Sequence, residues 1–213
     1  MTRIRLIALA LFAMFALSAI GAASALAADG EGEPDEFEVA KSPFSAHSTT
    51  TQTFTVNAGK VECKKATFEA APGVGNHPTI ETKSVVYSEC KAFGVEAKIK
   101  FEGCQYKFNA PKDAEAESKN EIKHTGTVNI VCPEGKTIVI QAGTCTVTVP
   151  TQGPLSSINY KLIGTANTVI EANVKGIEYT EIGANCPNIV KSPETFKNGT
   201  YVGNVEVEGV MIN

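Results

Sequence analysis

Apolar and polar residues alternate one by one through most of this chain, which restricts it to strands that bury one face. Val95, Ala97, Ile99 and Phe101 alternate with Glu96, Lys98, Lys100 and Glu102. Cys104, Tyr106 and Phe108 alternate with Gln105 and Lys107, and Cys145, Val147 and Val149 with Thr144, Thr146 and Thr148. Thr, Val, Ile, Tyr and Phe are plentiful, as pleated surfaces favour. The one helix-prone stretch, Lys112 to Lys123, is charged nearly all round, has no apolar face and reads as part of an exposed polar loop over 110–125.

The alternation can be threaded. A turn at Glu102-Gly103 sets Phe101 opposite Cys104, Ile99 opposite Tyr106 and Ala97 opposite Phe108. The return strand sets Val128 opposite Phe108 and Ile130 opposite Tyr106. A turn at Pro133-Glu134-Gly135 sets Ile138 opposite Ile130, and one at Ala142-Gly143 sets Cys145 opposite Ile140 and Val147 opposite Ile138. Each pairing keeps the apolar sets on one face, where a one-residue slip would turn a strand inside out. The expectation is a five-stranded antiparallel meander over 95–149. Its greasy face needs a cover, which strands over 52–56, 60–68, 84–88, 158–163, 169–174, 177–182 and 200–207 can supply. The fold class expected is all-β, a two-sheet antiparallel β-sandwich, with a closed β-barrel as the alternative.

Residues 1–27 carry the three parts of an export signal: Arg3 and Arg5, an apolar run from Leu6 to Ile20, and the small-x-small site Ala25-Leu26-Ala27. The run is shorter than a membrane-spanning helix needs, so no stable membrane anchor is expected after processing. Residues 28–46 follow as a leader expected to be disordered, because Asp29 to Glu38 holds six acids with Gly30, Gly32 and Pro34. Its alternating acids lack the sixth-position Gly and twelfth-position Glu of a helix-loop-helix calcium site. Residues 47–213 are expected to form a single domain. Cys63, Cys90, Cys104, Cys132, Cys145 and Cys186 are six, and the nearest two lie 13 residues apart. Even count, export and wide spacing point to three disulfides rather than a metal site. The threading opposes Cys104 to Cys132; chain order then suggests Cys145–Cys186 and Cys63–Cys90, though sequence alone leaves fifteen connectivities open.

Of 19 basic residues two are Arg3 and Arg5, so the exported chain has 17 Lys and no Arg against 23 acids. That balance argues against nucleic acid, and a bidentate Arg clamp on phosphate or carboxylate is excluded. His47, His77 and His124 read as solvated loop residues, and the only Asp beyond the leader is Asp113. There is no H-E-x-x-H and no G-x-S-x-G, so no catalytic, cofactor or metal residue is singled out. Trp is absent; Tyr87, Tyr160, Tyr179 and Tyr201 are the candidate exposed aromatic contacts, with ordinary sheet packing as the other reading.

Tyr87-Ser88-Glu89-Cys90-Lys91-Ala92-Phe93-Gly94, Gly103-Cys104-Gln105-Tyr106-Lys107-Phe108, Val128 to Gly135 and Cys145-Thr146-Val147 resemble the cysteine blocks of a group of uncharacterised secreted six-cysteine proteins from actinobacteria. Gly176 to Thr180 and Asn198 to Tyr201 fit its tail, so the resemblance spans roughly residues 50–205. It implies secretion and a β-rich body, and carries over no activity or site residue. The expected function is a secreted, non-catalytic structural or binding module for an unknown extracellular or cell-envelope ligand, with a secreted hydrolase as the alternative.

Overall fold

The computed structural model describes residues 36–111, 114–118, 121–163, 167–183, 186 and 190–212. The export signal, the leader up to residue 35 and Asp113 lie outside the described residues. The strands in chain order are β1 (Phe37–Val39), β2 (Phe44–Ser48), β3 (Gln52–Val56), β4 (Gly59–Ala70), β5 (Gly75–His77), β6 (Thr79–Ala92), β7 (Val95–Lys100), β8 (Gln105–Asn109), β9 (Ala114–Ser118), β10 (Glu121–Val131), β11 (Ile138–Ala142), β12 (Cys145–Val149), β13 (Gln152–Ile163), β14 (Asn167–Gly183), β15 (Val190–Glu208) and β16 (Val210–Ile212).

These strands close into an antiparallel barrel of eight staves, not the sandwich that was the first expectation. Four staves are single strands: β4, β6, β14 and β15. The other four are interrupted pairs that run on in one direction: β2 with β3, β7 with β8, β10 with β11, and β12 with β13. Each stave is antiparallel to its neighbour in sequence. The ring closes where β15 pairs with β2 (Glu206↔His47) and with β3 (Tyr201↔Phe54). No second sheet is needed, because the greasy faces cover one another across the barrel axis.

The five-stranded meander is corrected to three staves. The turns at Glu102-Gly103 and Pro133-Glu134-Gly135 do not reverse the chain. β7 and β8 both pair with β6, through Ala92↔Val95 at one end and Ile80↔Phe108 at the other. Glu102 and Gly103 take φ of 50° and 89°, and Cys104 N donates to Phe101 O at 2.8 Å, so the chain kinks and resumes its course. Gly103 packs on Pro133: a Cβ there would lie 3.3 Å from the proline ring. The two excursions thus stack on each other outside the ladder. The pairings Tyr106↔Ile130 and Phe108↔Val128 stand as expected. The β11–β12 hairpin forms two residues out of the expected register, with Ile140↔Val147 and Ala142↔Cys145.

Three disulfides join Cys63–Cys90, Cys104–Cys132 and Cys145–Cys186, and no described cysteine is free. The first lies between directly opposed residues of β4 and β6. The second bridges the stretch where neither β7–β11 nor β8–β10 ladder bonds exist. The third ties the start of β12 to the β14–β15 connection.

Two further expectations change. The leader ends before residue 46: β1 and β2 are strands, with Phe37 and Val39 buried. Apolar Phe37 and Val39 among the acids are enough to seat a strand in a sheet. β1 sits between β5 and β16 in a small second sheet. That sheet lies at the end where β4, β8, β13 and β15 finish. There Phe37 meets Tyr160 edge-on at 5.3 Å and Thr168 Oγ1 donates to Val210 O at 2.6 Å. The loop expected over 110–125 is also partly strand: β9 pairs with the first turn of β10, Ala114 against His124.

Among the described residues no helix is long and apolar enough to cross a membrane. The outward wall positions carry Glu62, Lys64, Lys91, Glu96, Lys98, Lys100 and Lys175, the reverse of a lipid-facing barrel, whose outer band is apolar.

Candidate functional site

The alternation of β3 places Gln52, Phe54 and Val56 inward. Around the ring the same logic brings Phe68, Ile99, Phe101, Phe108, Ile130, Ile140, Ile170 and Val205 into the interior. An eight-stave barrel is just wide enough for side chains to fill it or to hold one small ligand. Here the fill is incomplete, and a cavity of about 100 Å³ remains, almost wholly apolar in lining. Ala172 and Gly203 take inward positions in β14 and β15 and leave the space open. Gly203 also admits Gln52: a Cβ on it would fall on the Gln52 amide oxygen, an overlap that would force the amide out.

One polar feature crosses this apolar space. Tyr201 OH donates to Gln52 Oε1 at 2.5 Å, and Tyr87 OH lies 3.1 Å from Tyr201 OH and 3.3 Å from Tyr106 OH. Gln52 Nε2 is anchored to the backbone oxygens of Thr50 and Asn204 at 2.8 and 3.1 Å. Phe101 packs face-on against Tyr87 and edge-on against Tyr106. Burial raises all three phenols, Tyr106 to about 12, so none ionises near neutral pH.

The wall beside this cluster is unzipped. From Thr82 to Cys90 no ladder pair joins β6 to β7 or β8. Side chains span the seam instead: Thr82 Oγ1 accepts from Tyr106 N at 2.9 Å, and the Tyr87 and Tyr106 hydroxyls meet across it. Glu89, at φ 53°, departs from the extended conformation there. A groove opens on the outside of the seam, rimmed by Lys64, Lys91, Lys98 and Lys100, and Tyr87 and Ile99 line both groove and cavity. At the seam these two side chains lie between the outer groove and the interior.

The four candidate exposed tyrosines are not exposed contacts. Tyr87 and Tyr201 line the cavity. Tyr160 and Tyr179 are fully buried, Tyr160 donating to Asn109 O at 3.2 Å. A tyrosine on an inward position buries its ring in the barrel and keeps its hydroxyl satisfied by a neighbour. Tyr106 faces inward as its threading implied. Gln52 and Gly203 were missed; each is a non-greasy residue on an inward position of an otherwise apolar alternation, and that signal was available.

None of the three histidines is a solvated loop residue. His124 is buried on β10, His77 lies on β5 opposite Phe37, and His47 is exposed on β2. Each sits at a ladder position. His47 is flanked across the wall by Thr67 and Glu206, with Thr67 Oγ1 3.5 Å from His47 Nδ1. This row of hydroxyl, imidazole and carboxylate lies on the open outer wall, not in a cleft. Among the described residues no cluster of His, Cys, Asp and Glu could hold a metal ion.

At the far end of the barrel Tyr179 OH accepts from Asn57 N at 2.8 Å and donates to Asn198 Oδ1 at 3.0 Å. Beside it Glu181 is buried; Oε1 accepts from Ala58 N at 3.1 Å while Oε2 has no hydrogen-bond partner among the described residues. Burial raises its carboxyl above the ordinary range, and Glu194 adds to the rise. A carboxyl whose folded pKa is raised contributes stability below its unfolded pKa and loses it as pH climbs through the folded one. Glu181→Gln, which keeps the shape without the charge, is expected to raise Tm at pH 7. In parallel melts the gain should shrink toward nothing as the pH falls to about 4.3, the unperturbed glutamate value. A gain independent of pH would show that the charge is not its source.

No family model, curated protein or solved structure matches this chain.

Proposed function

We propose that this protein is a secreted, non-catalytic binding module that carries a small, uncharged, largely apolar molecule inside its barrel. The observation that carries the reading is the unfilled apolar interior crossed by one satisfied polar cluster. Ligand sites are typically of this kind: apolar walls with a few placed polar groups. A structural module gains nothing from the void, since each unfilled volume costs packing contacts. The export signal, the resemblance to secreted six-cysteine proteins and the stapled fold favour an extracellular setting, where the ligand comes from the medium or the cell envelope.

A screen of small apolar compounds against the mature protein tests this. A ligand bound only by the folded state raises Tm, by about 2.7 kcal/mol of stabilisation at a hundredfold excess over Kd. At least one compound should raise Tm and shift the amide resonances of Tyr87, Tyr106 and Tyr201. Ala172→Leu, which fills the cavity, should abolish the effect while leaving the unliganded Tm near its original value. A screen with no hit, or hits that Ala172→Leu leaves intact, would remove the cavity from consideration.

A further inference from the structure

We propose that the molecule carried in the barrel bears a hydrogen-bond donor and delivers it to the phenolic oxygen of Tyr106. This rests on the carrier reading above and adds the polarity of the cargo. Gln52 sets the direction. Its Nε2 donates to two backbone oxygens, Thr50 O and Asn204 O, which can only accept. The amide is thereby oriented, and Oε1 faces Tyr201 as an acceptor. Tyr201 donates to it. A phenol has one hydrogen to give. With that of Tyr201 spent, the contact to Tyr87 is donated by Tyr87. With that of Tyr87 spent, the contact to Tyr106 is donated by Tyr106. The chain runs one way, from Tyr106 through Tyr87 and Tyr201 to Gln52.

Tyr106 is therefore the open end. Its hydrogen points into the chain, and only lone pairs are left for the cavity that it lines. Phe68, Phe101 and Phe108 surround its ring and offer no polar group. Successive links polarise one another, which strengthens the last acceptor in the row. All three phenols keep their hydrogens near neutral pH, so the direction does not lapse. A ligand with only an acceptor would set lone pairs against lone pairs. A hydroxyl or N–H on an apolar body would complete the row.

Three five-membered rings of similar shape separate the cases: pyrrole, with an N–H and no acceptor; furan, with an oxygen acceptor and no donor; thiophene, with neither of strength. Titrations of the mature protein followed by NMR are expected to show pyrrole binding about 2- to 12-fold tighter than thiophene, and furan no tighter than thiophene. Tyr106→Phe should bring pyrrole and thiophene to within about twofold while thiophene binding persists. Gln52→Leu removes the fixed acceptor, frees the row to reverse, and should let furan gain on thiophene. Equal binding of the three rings to the native protein, or a preference for furan, would overturn the polarity while leaving the carrier reading standing. A pyrrole preference that survives Tyr106→Phe would overturn the assignment to Tyr106. If neither these rings nor any compound of the broader screen binds, the carrier reading itself falls.

Discussion

Gly183→Ala is expected to cost more than about 4 kcal/mol, enough to leave little folded protein. Gly183 ends the paired part of β14 at φ 137°, a region closed to side chains. A Cβ there would overlap the Thr144 carbonyl oxygen at 1.9 Å and lie 2.9 Å from Cys145 Cα. Both are backbone atoms, so no rotamer change can relieve the overlap. The β11–β12 turn would have to move, and it is held by the Cys145–Cys186 bond. Gly135→Ala is the control: its φ is also positive, 69°, but nothing lies within 4 Å of the added carbon. It should cost only about 1–2 kcal/mol. Urea melts of the two variants decide the matter, and a Gly183→Ala protein as stable as Gly135→Ala would refute the close approach.

Removing the Cys104–Cys132 bond by a double alanine substitution is the second large effect. Chain-entropy arguments give about 3–4 kcal/mol for such a loop, on the order of 10 °C in Tm for a body of this size. The Cys63–Cys90 bond closes a loop of nearly the same length, 27 residues against 28. If only the unfolded chain mattered, the two double mutants would melt alike. They differ in the native wall. Cys63 and Cys90 face each other within a β4–β6 ladder that holds one register from Val61↔Ala92 to Glu69↔Ser84. Cys104 and Cys132 tie two staves together where the ladder is missing. The Cys104→Ala, Cys132→Ala protein is therefore expected to melt below the Cys63→Ala, Cys90→Ala protein, and the reverse order would contradict the role assigned to that bond.

The class of fold, most strand positions and the inward set could be read from the residues because period-two alternation reports burial directly. Closure into a barrel could not, and Phe101 to Cys104 show why. Ala97, Ile99 and Phe101 point inward before the excursion; Cys104, Tyr106 and Phe108 point inward after it. A hairpin and a kinked straight run both satisfy that phase, so alternation cannot tell a chain that turns back from one that goes on. Pro133 to Lys136 pose the same ambiguity. The Cys104–Cys132 pairing came through regardless, because it depends only on the β8–β10 register. The cavity was hidden for another reason. Tyr87, Tyr106 and Tyr201 are distant in sequence, and only ring closure brings their hydroxyls into one row.

The disulfides join the first cysteine to the second, the third to the fourth and the fifth to the sixth. Every stave but the first likewise pairs with the one before it. A chain that reaches an oxidising compartment N-terminus first meets each correct partner as the next one to arrive, so no wrong bond has to be undone. One contact breaks this order of assembly. The edge formed by β2 and β3 waits, unpaired on one side, until β15, the last of the eight staves, arrives. Until then the nascent sheet is a curved strip with an open margin, and truncation anywhere before β15 leaves that margin free to recruit the strand of another molecule.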